Sequence, residues 1–489
     1  MLEASAHHHL KALLRREGAQ RWPHHLSLSR LVARSLRRGD HTLIRLTPGC
    51  DPSWWISLLV PLARSDSPLA LILSETVRRR LLRVEWPRLQ QAGLQLPVWE
   101  GREAPAGGHL WLLSHADLLE AWQEGRLEGR QLVIPEAERL ERALREALAV
   151  RLTPANWDSL RRAHPGAGTA LLELHGRLSR RVLAHPGHNH GPVALRPEEE
   201  APLRQLLPLL APLPAPWQRW LNAAGDAWSS WAVVDSALLQ WTLHRQPLEP
   251  LRELQGLLNG RGAVLIGELA GSGSNGRESS GNGNSALALG LQPQVSVALG
   301  DPPLADPLPL YAPRSQPLPN SPHFAEHLLE HSRRLVLGQS GLSVVLVDDS
   351  ALRRGLTSAL AAEFGSRVQH ESTAPESNGV ICCRWDWWLE HQPRLPQPCQ
   401  LVVGLLPIAS LEDPLTAARV AAMRRQGRDW FRELLLPEAL NRLQRSLTGL
   451  RRAGGRLAVL DGRLRARSWG AQVLGALEPW VQLTRLLPG

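Results

Sequence analysis

The sequence predicts an α/β fold with two halves built on buried parallel strands and a helical segment between them. Short apolar runs that do not alternate with polar residues, such as 69–73 and 401–403, are typical of parallel strands covered on both faces. Stretches with apolar residues at three- and four-residue spacing follow such runs and indicate amphipathic helices. A chain of 489 residues is long enough for two to four domains.

The net charge of +10 is concentrated in two parts of the chain. Residues 1–45 carry +6 and residues 424–467 carry +8, so the remainder is slightly negative. Localised positive charge favours a nucleic-acid partner, although a codon bias towards arginine would give the same composition. Lys11 is the only lysine, so nearly all positive charge is arginine, which suits bidentate contacts with phosphate.

The first half begins with residues 26–38, which place leucine and valine on one helical face and arginine on the other. Residues 41–63 then predict a strand, a Pro/Gly turn and a helix. This is the layout of a loop that holds phosphate at a helix N-terminus. The turn contains Gly49 and Ser53 but no lysine, and Asp51 adds a negative charge beside them.

A buried parallel strand is predicted at 69–73, with a helix after it. Thr76 lies at the end of this strand, His115 lies within residues 110–119, and Glu136 lies at the start of another predicted helix. Glu136 also suits the positive end of a helix without any catalytic role.

Residues 151–245 differ from both halves by their many prolines and tryptophans and by helical leucine spacing, and predict a helical insertion. Its tryptophans either stack on unpaired bases or pack in a core. The candidates are Trp217, Trp220, Trp228, Trp231 and Trp241.

The most informative stretch, residues 434–463, predicts a helix that ends at Gly454-Gly455, followed by a buried strand that ends at Asp461. Gln444 and Arg451 are seven residues apart and therefore lie on one helical face. This stretch resembles the last helicase motif of the DinG/XPD branch of superfamily 2 DNA helicases. The residues in step with that motif are Pro437, Ala439, Gln444, Leu450, Arg451, Leu460, Asp461 and Arg463.

The resemblance extends over roughly residues 26–480 through many weaker, collinear matches. It implies two RecA-like parallel-sheet domains with a helical, arch-like insertion between them. The expected domains are residues 1–150, the insertion 151–245 and the second domain 246–489. Residues 271–285, which contain no apolar side chain, are expected to form a flexible loop in the second domain.

The resemblance also implies roles for individual residues. Nucleotide contacts are expected from Gly49, Ser53, Gln444 and Arg451, and vestigial catalytic positions from Glu136 and Arg451. DNA contacts are expected from Thr76, Arg78, Arg79, Arg80 and His115.

Several family residues are replaced in this chain. Pro52 stands at the lysine of the phosphate loop, and Pro135 at the aspartate that holds magnesium. Glu138 replaces a histidine, and Thr448 replaces an arginine. ATP and magnesium are therefore doubtful cofactors, since a lysine and a metal ligand are both missing.

No metal site is predicted, and no iron–sulfur cluster, because only Cys50 of the four cysteines lies in the first half. No apolar stretch is long enough for a signal or a membrane span, so a cytoplasmic protein is expected.

Three hypotheses follow from these observations. The first is a pseudo-helicase that binds single-stranded or forked DNA through arginine-rich surfaces, with weak or lost ATP hydrolysis. The second is an active ATP-dependent DNA helicase with atypical nucleotide contacts. The third is an interaction scaffold whose tryptophan-rich insertion meets a protein partner.

Overall fold

The computed structural model describes residues 2–18, 22–47, 50–103, 110–188, 191–258, 261–268, 293–300, 306–337 and 339–484. Gly49 and the predicted loop 271–285 lie outside these ranges. No helix within them is both long enough and apolar enough to cross a membrane.

The first domain is built on a sheet of seven parallel strands. Its central strands are short, apolar and buried, as expected for a sheet covered on both faces. In spatial order the strands are Val295–Leu299, Thr42–Leu46, Ala263–Glu268, Gln131–Ile134, Leu69–Ile72, Leu110–Leu113 and Val98–Trp99.

The predicted domain boundary at residue 246 is wrong for this sheet. Ala263–Glu268 pairs with Thr42–Leu46 on one side and with Gln131–Ile134 on the other, and Val295–Leu299 extends the sheet beyond Thr42–Leu46. The chain therefore returns to the first sheet after the insertion. Two strands assigned to the second domain by sequence belong to the first.

Helices cover both faces of the first sheet and enclose two apolar cores. One face carries Leu2–Glu17, His25–Arg38, Trp55–Ala63 and Trp86–Gln91. The other carries His115–Gln123, Ala137–Leu148 and Gln255–Leu258. The short helix Glu75–Arg80 follows strand Leu69–Ile72.

The insertion contains the expected helices and also a four-stranded antiparallel sheet, which the sequence reasoning did not predict. The helices are Pro154–Ala163, Gly168–Leu183, Pro197–Leu206 and Ala215–Asn222. The strands, in spatial order, are Val150–Leu152, Gln240–Pro247, Trp228–Asp235 and Val193–Ala194. Trp217, Trp220 and Trp241 are buried in its core, whereas Trp228 and Trp231 are partly exposed.

The second domain is a second sheet of seven parallel strands. In spatial order they are Val368–His370, Val380–Cys383, Ser343–Leu346, Gln400–Val403, Arg456–Val459, Leu308–Tyr311 and Trp480–Gln482. Its helices are Phe324–Leu337, Ser350–Phe364, Trp385–His391, Pro414–Arg425, Leu436–Ser446, Thr448–Arg452, Arg463–Ala466 and Gly470–Ala476. The predicted α/β class with two parallel-sheet halves is confirmed.

Candidate inter-domain site

The carboxyl ends of the first sheet face helix Leu436–Ser446 of the second domain, which we call the interface helix. Parallel sheets place ligand-binding residues at this edge. Polar residues of both domains gather in this region, which we call the cleft. Of the expected nucleotide contacts, Ser53 lies in the first domain, Gln444 and Arg451 face the second domain, and Gly49 lies outside the described residues.

The turn predicted to hold phosphate is occupied by a carboxylate of the chain itself. Asp51 accepts a hydrogen bond from the backbone N–H of Ser53 at 2.8 Å and caps the short helical turn Pro52–Trp54, which leads into Trp55–Ala63. The Ser53 hydroxyl lies 3.5 Å from Nε2 of His25, whose Nδ1 is 2.6 Å from the Ser57 hydroxyl. Negative charge already stands where this helix N-terminus would attract an anion.

Glu136 is held by a serine of the neighbouring strand end. Its backbone has a φ of 61°, a left-handed conformation that is uncommon for residues other than glycine. Its Oε2 accepts the Ser74 hydroxyl at 2.7 Å, and its Oε1 is 3.4 Å from Arg139. Burial raises the pKa of the Glu136 carboxyl above its ordinary value.

Glu138, which replaces the family's histidine, connects three elements. Its Oε2 accepts the backbone N–H of Glu268 at 3.1 Å, and its Oε1 is 3.7 Å from an Nη atom of Arg445 on the interface helix. Only 6% of its side chain is exposed. A Cβ at Gly267 would come within 3.0 Å of this carboxylate, so glycine provides the space that Glu138 occupies.

The remaining contacts of the interface helix continue across the cleft. Arg442 lies 3.3 Å from the Asp386 carboxylate, which is also 3.0 Å from Arg142 of the first domain. Asn441 donates a hydrogen bond to the Glu268 carbonyl at 3.3 Å. The two domains are therefore joined by charged and polar side chains of the chain itself.

A second ion-pair group lies beside the interface helix. Arg419 is 3.1 Å from Glu141 of the first domain and 2.7 Å from Glu438 of the interface helix. Its side chain is largely buried. One guanidinium group thus bridges carboxylates of both domains. We call these bridging contacts, from Arg142 and Glu138 to Arg419 and Arg445, the cleft network.

Gln444 and Arg451 share one side of the helical segment, as their spacing predicted, but they face the second domain. Gln444 donates to the Ala476 carbonyl at 3.1 Å. Arg451 donates to the carbonyls of Leu477 and Pro479, and burial lowers its pKa. The structure does not bring this pair to Glu136.

Sequence reasoning missed Asn441, Arg442 and Arg445. Together with Glu438, they lie at helical spacings of three, four and seven residues, which was a readable signal for one polar face. Arg442 and Arg445 were not predicted as site residues, because the family motif has its conserved polar residue at Gln444.

The arginines predicted to contact DNA all have acidic partners. Arg78 and Arg79 each lie 2.8 Å from Glu75, and Arg80 lies 3.2 Å from Glu85. Thr76 accepts a hydrogen bond from Arg394 of the second domain at 3.2 Å. Part of the positive charge of this helix is therefore neutralised within the protein.

His115 is buried at the start of helix His115–Gln123, with 7% of the residue exposed. Burial, followed by the charge of Arg139, lowers its pKa to about 4. The imidazole is consequently neutral near pH 7.

The residues present do not fit magnesium-ATP held in the family's manner. The anion position at the helix N-terminus is taken by Asp51, and the carboxylates of Glu136 and Glu138 have partners within the protein. Within the described residues, no group of three His, Cys, Asp or Glu side chains is arranged for a metal ion.

The cysteines lie in both domains. Cys50 lies in the first domain, while Cys382 and Cys383 are neighbours on one strand of the second domain. Their side chains point to opposite faces of that sheet and are buried in different cores.

Comparisons with known proteins agree with this architecture. No family model matches the chain. Over 179 residues it is 27% identical to the ATP-dependent DNA helicase YoaA of Escherichia coli (strain K12). The match covers 34% of this chain and 28% of the relative.

Two solved structures share the fold over nearly their whole length. Xpd4 of S. tokodaii superimposes with a TM-score of 0.60 at 11% identity, covering 92% of this chain and 97% of that protein. An apo XPD structure gives 0.59 at 11% identity and covers 94% and 100%.

Proposed function

We propose that this chain, a helicase-like protein related to the DinG/XPD type of superfamily 2 helicases, binds single-stranded or forked DNA without robust ATP-driven unwinding. The proposal has two parts. The cleft does not support efficient ATP hydrolysis, and a DNA-binding surface is retained. Each part is supported by different residues and is tested separately.

The observation that carries the first part is the cleft network. Phosphoryl transfer depends on positive groups and a metal that neutralise the nucleotide phosphates. In this cleft Arg445 is paired with Glu138, and Asp51 occupies the helix N-terminus. A nucleotide would have to displace these internal partners and would also meet their negative charge.

Two observations support the second part. The relative with local sequence similarity is a DNA helicase by name. In this chain the excess positive charge is concentrated in residues 1–45 and 424–467 rather than spread evenly, which suits a phosphate backbone.

One observation favours the alternative of an active helicase. Arg442 and Arg445 stand in the cleft on the interface helix, where arginines meet phosphates in nucleotide-driven motors. If their ion pairs opened, both would be available to a nucleotide. The Mg-ATP arm of the experiment addresses this case.

The test is a titration of fluorescently labelled single-stranded and forked DNA with the purified protein, read by anisotropy at two salt concentrations, with and without Mg-ATP. We expect the logarithm of affinity to fall with the logarithm of salt concentration at a slope of roughly −0.7 per phosphate contacted on the single strand. Mg-ATP should leave the curves unchanged.

Two other outcomes are possible, and each would contradict one part of the proposal. A change of affinity on adding Mg-ATP, together with released phosphate, would establish an active nucleotide site. Absence of binding at low salt would replace the DNA-binding part with the scaffold hypothesis.

A further inference from the structure

Residues 424–467 contain twelve arginines and four acidic residues, and the arginines lie in different surroundings. Those facing a carboxylate include Arg442 and Arg445 of the cleft network. Arg424 and Arg467 are exposed, and among the described residues neither forms an ion pair with an acidic side chain. Their charge is available to an external anion.

An aromatic ring lies next to Arg424, and Arg467 is close in sequence to another aromatic residue. The guanidinium of Arg424 stands 4.9 Å from the centre of the Trp430 ring. Trp430 and Phe431 are 5.9 Å apart edge to face, and Phe431 and Trp469 are 5.6 Å apart. Arg467 precedes Trp469 by two residues. We call Arg424, Trp430, Phe431, Arg467 and Trp469 the aromatic–arginine patch.

Local hydrogen bonds hold the backbone that carries Trp430 and Phe431. Gly427 adopts a φ of 69°, which turns the chain after helix Pro414–Arg425. The Asp429 carboxylate then accepts the backbone N–H groups of Phe431 and Arg432 at 3.1 and 3.0 Å. These bonds begin the wide helical turn Phe431–Leu435, a type of turn that often marks functional positions.

The patch lies beyond the carboxyl end of a central strand of the second sheet. Strand Arg456–Val459 leads to the buried Asp461 and then, through helix Arg463–Ala466, to Trp469. Arg425, next to Arg424, is 3.0 Å from Asp226 of the insertion. The patch is therefore close to the insertion and at the edge where parallel sheets bind ligands.

We propose that the aromatic–arginine patch stacks unpaired bases of a single nucleic-acid strand while its arginines contact the backbone phosphates. This inference rests on the proposed DNA-binding function and names the surface that carries it. Three partly exposed rings can stack on bases of any kind, and the two arginines without an acidic partner give charge complementarity to phosphate. Duplex bases are already stacked and cannot use the rings.

The principal test compares Trp430→Ala with Trp387→Ala. Trp387 is a matched control because it is a partly exposed tryptophan of the same domain, stacked on His391 at 4.4 Å instead of beside an arginine. The probes are a labelled oligothymidylate of about 15 nucleotides, within the site sizes known for stacking proteins, and an abasic strand of equal length.

We expect Trp430→Ala to weaken oligothymidylate binding about fivefold to a hundredfold and to leave binding of the abasic strand unchanged. Trp387→Ala should leave both within about twofold of the wild type. Trp430→Phe retains a ring and should recover most of the affinity, which separates stacking from a folding defect. A loss on oligouridylate equal to that on oligothymidylate supports stacking, since the rings do not read the sugar.

Arg467→Gln tests the electrostatic half of the proposal. It should weaken binding of both the base-bearing and the abasic strands and should reduce the salt slope by about 0.7. A change on one strand alone would contradict its assignment as a phosphate contact.

The two levels of the proposal fail in different ways. If the wild type binds oligothymidylate and Trp430→Ala and Phe431→Ala bind it equally well, the patch is excluded and the DNA-binding function stands. If the wild type binds no strand at low salt, both are excluded.

Discussion

Arg445 and Arg467 belong to the same basic segment of the chain but lie in opposite surroundings. Arg445 faces Glu138 of the first domain and has 14% of its side chain exposed. Arg467 is exposed next to the aromatic–arginine patch. A count of arginines therefore overstates the capacity of this segment to bind phosphate, because a guanidinium with a buried carboxylate partner is already neutralised.

The pair of Arg445 and Glu138 is one of several contacts between the two domains. Asp386 of the second domain lies within ion-pair distance of Arg142 of the first domain and of Arg442 on the interface helix. Charged side chains of the chain itself therefore join the two domains.

The largest effect is expected when the same substitution, arginine to alanine, is made separately in each region. Arg445→Ala removes one of two cationic partners of the buried Glu138, which keeps Arg139 at 3.9 Å, and should reduce the free energy of unfolding by about 3 kcal/mol. Arg467→Ala removes an exposed side chain and should change it by less than about 0.5 kcal/mol. Urea unfolding followed by circular dichroism measures both.

A double-mutant cycle sharpens this prediction. Glu138→Gln combined with Arg445→Ala should cost less than the sum of the single changes, since neither charge is then left alone. Equal effects of Arg445→Ala and Arg467→Ala would remove the distinction between the two regions.

The sequence predicted the fold class because its evidence is local. Apolar runs such as 69–73 and 401–403 identify buried parallel strands without any knowledge of their neighbours. Strand order is not local. Nothing within residues 263–268 indicates that this strand lies between Thr42–Leu46 and Gln131–Ile134, so the domain boundary at 246 was misplaced.

The site was predicted less completely for a similar reason. Glu136 and Thr76 follow strands Gln131–Ile134 and Leu69–Ile72, at the edge where parallel sheets place ligand-binding residues. Which face of the interface helix meets the first domain depends on partners far away in sequence. Arg445 pairs with Glu138 of the first domain, whereas Gln444 donates a hydrogen bond to the Ala476 carbonyl of the second domain.

The next prediction concerns how the free energy of unfolding depends on pH. His115 has a pKa of about 4 in the folded protein, below its ordinary value of about 6.5, so the unfolded chain binds more protons between these values. Stability from this group is complete above about pH 6.5 and decreases by about 3 kcal/mol as pH falls to 4. The patch contains only arginines as charged groups, so its phosphate contacts should not titrate over that range.

Unfolding free energies measured from pH 7 to pH 4 test this prediction. His115→Gln should reduce this decline, with His323→Gln, at an exposed histidine of the second domain, as the control substitution. An unchanged slope in His115→Gln would mean that its imidazole is not held neutral by burial.

The smallest effect concerns the carboxylate that caps the helical turn Pro52–Trp54. Asp51→Ala removes a helix cap and should reduce the free energy of unfolding by about 1 kcal/mol, while Asp51→Asn should retain most of the cap. Asp349 is the matched control, because it caps helix Ser350–Phe364 in the second domain by accepting the Leu352 N–H at 2.7 Å.

Asp349→Ala should therefore cost about as much as Asp51→Ala. The two variants are then compared by thermal unfolding with and without Mg-ATP. If the cleft network excludes nucleotide, neither variant gains stability from Mg-ATP, since Glu138 and Arg445 remain paired in both. Stabilisation of Asp51→Ala alone would show that this single carboxylate, rather than the network between the domains, keeps nucleotide out, and the cleft would then be one substitution away from binding it.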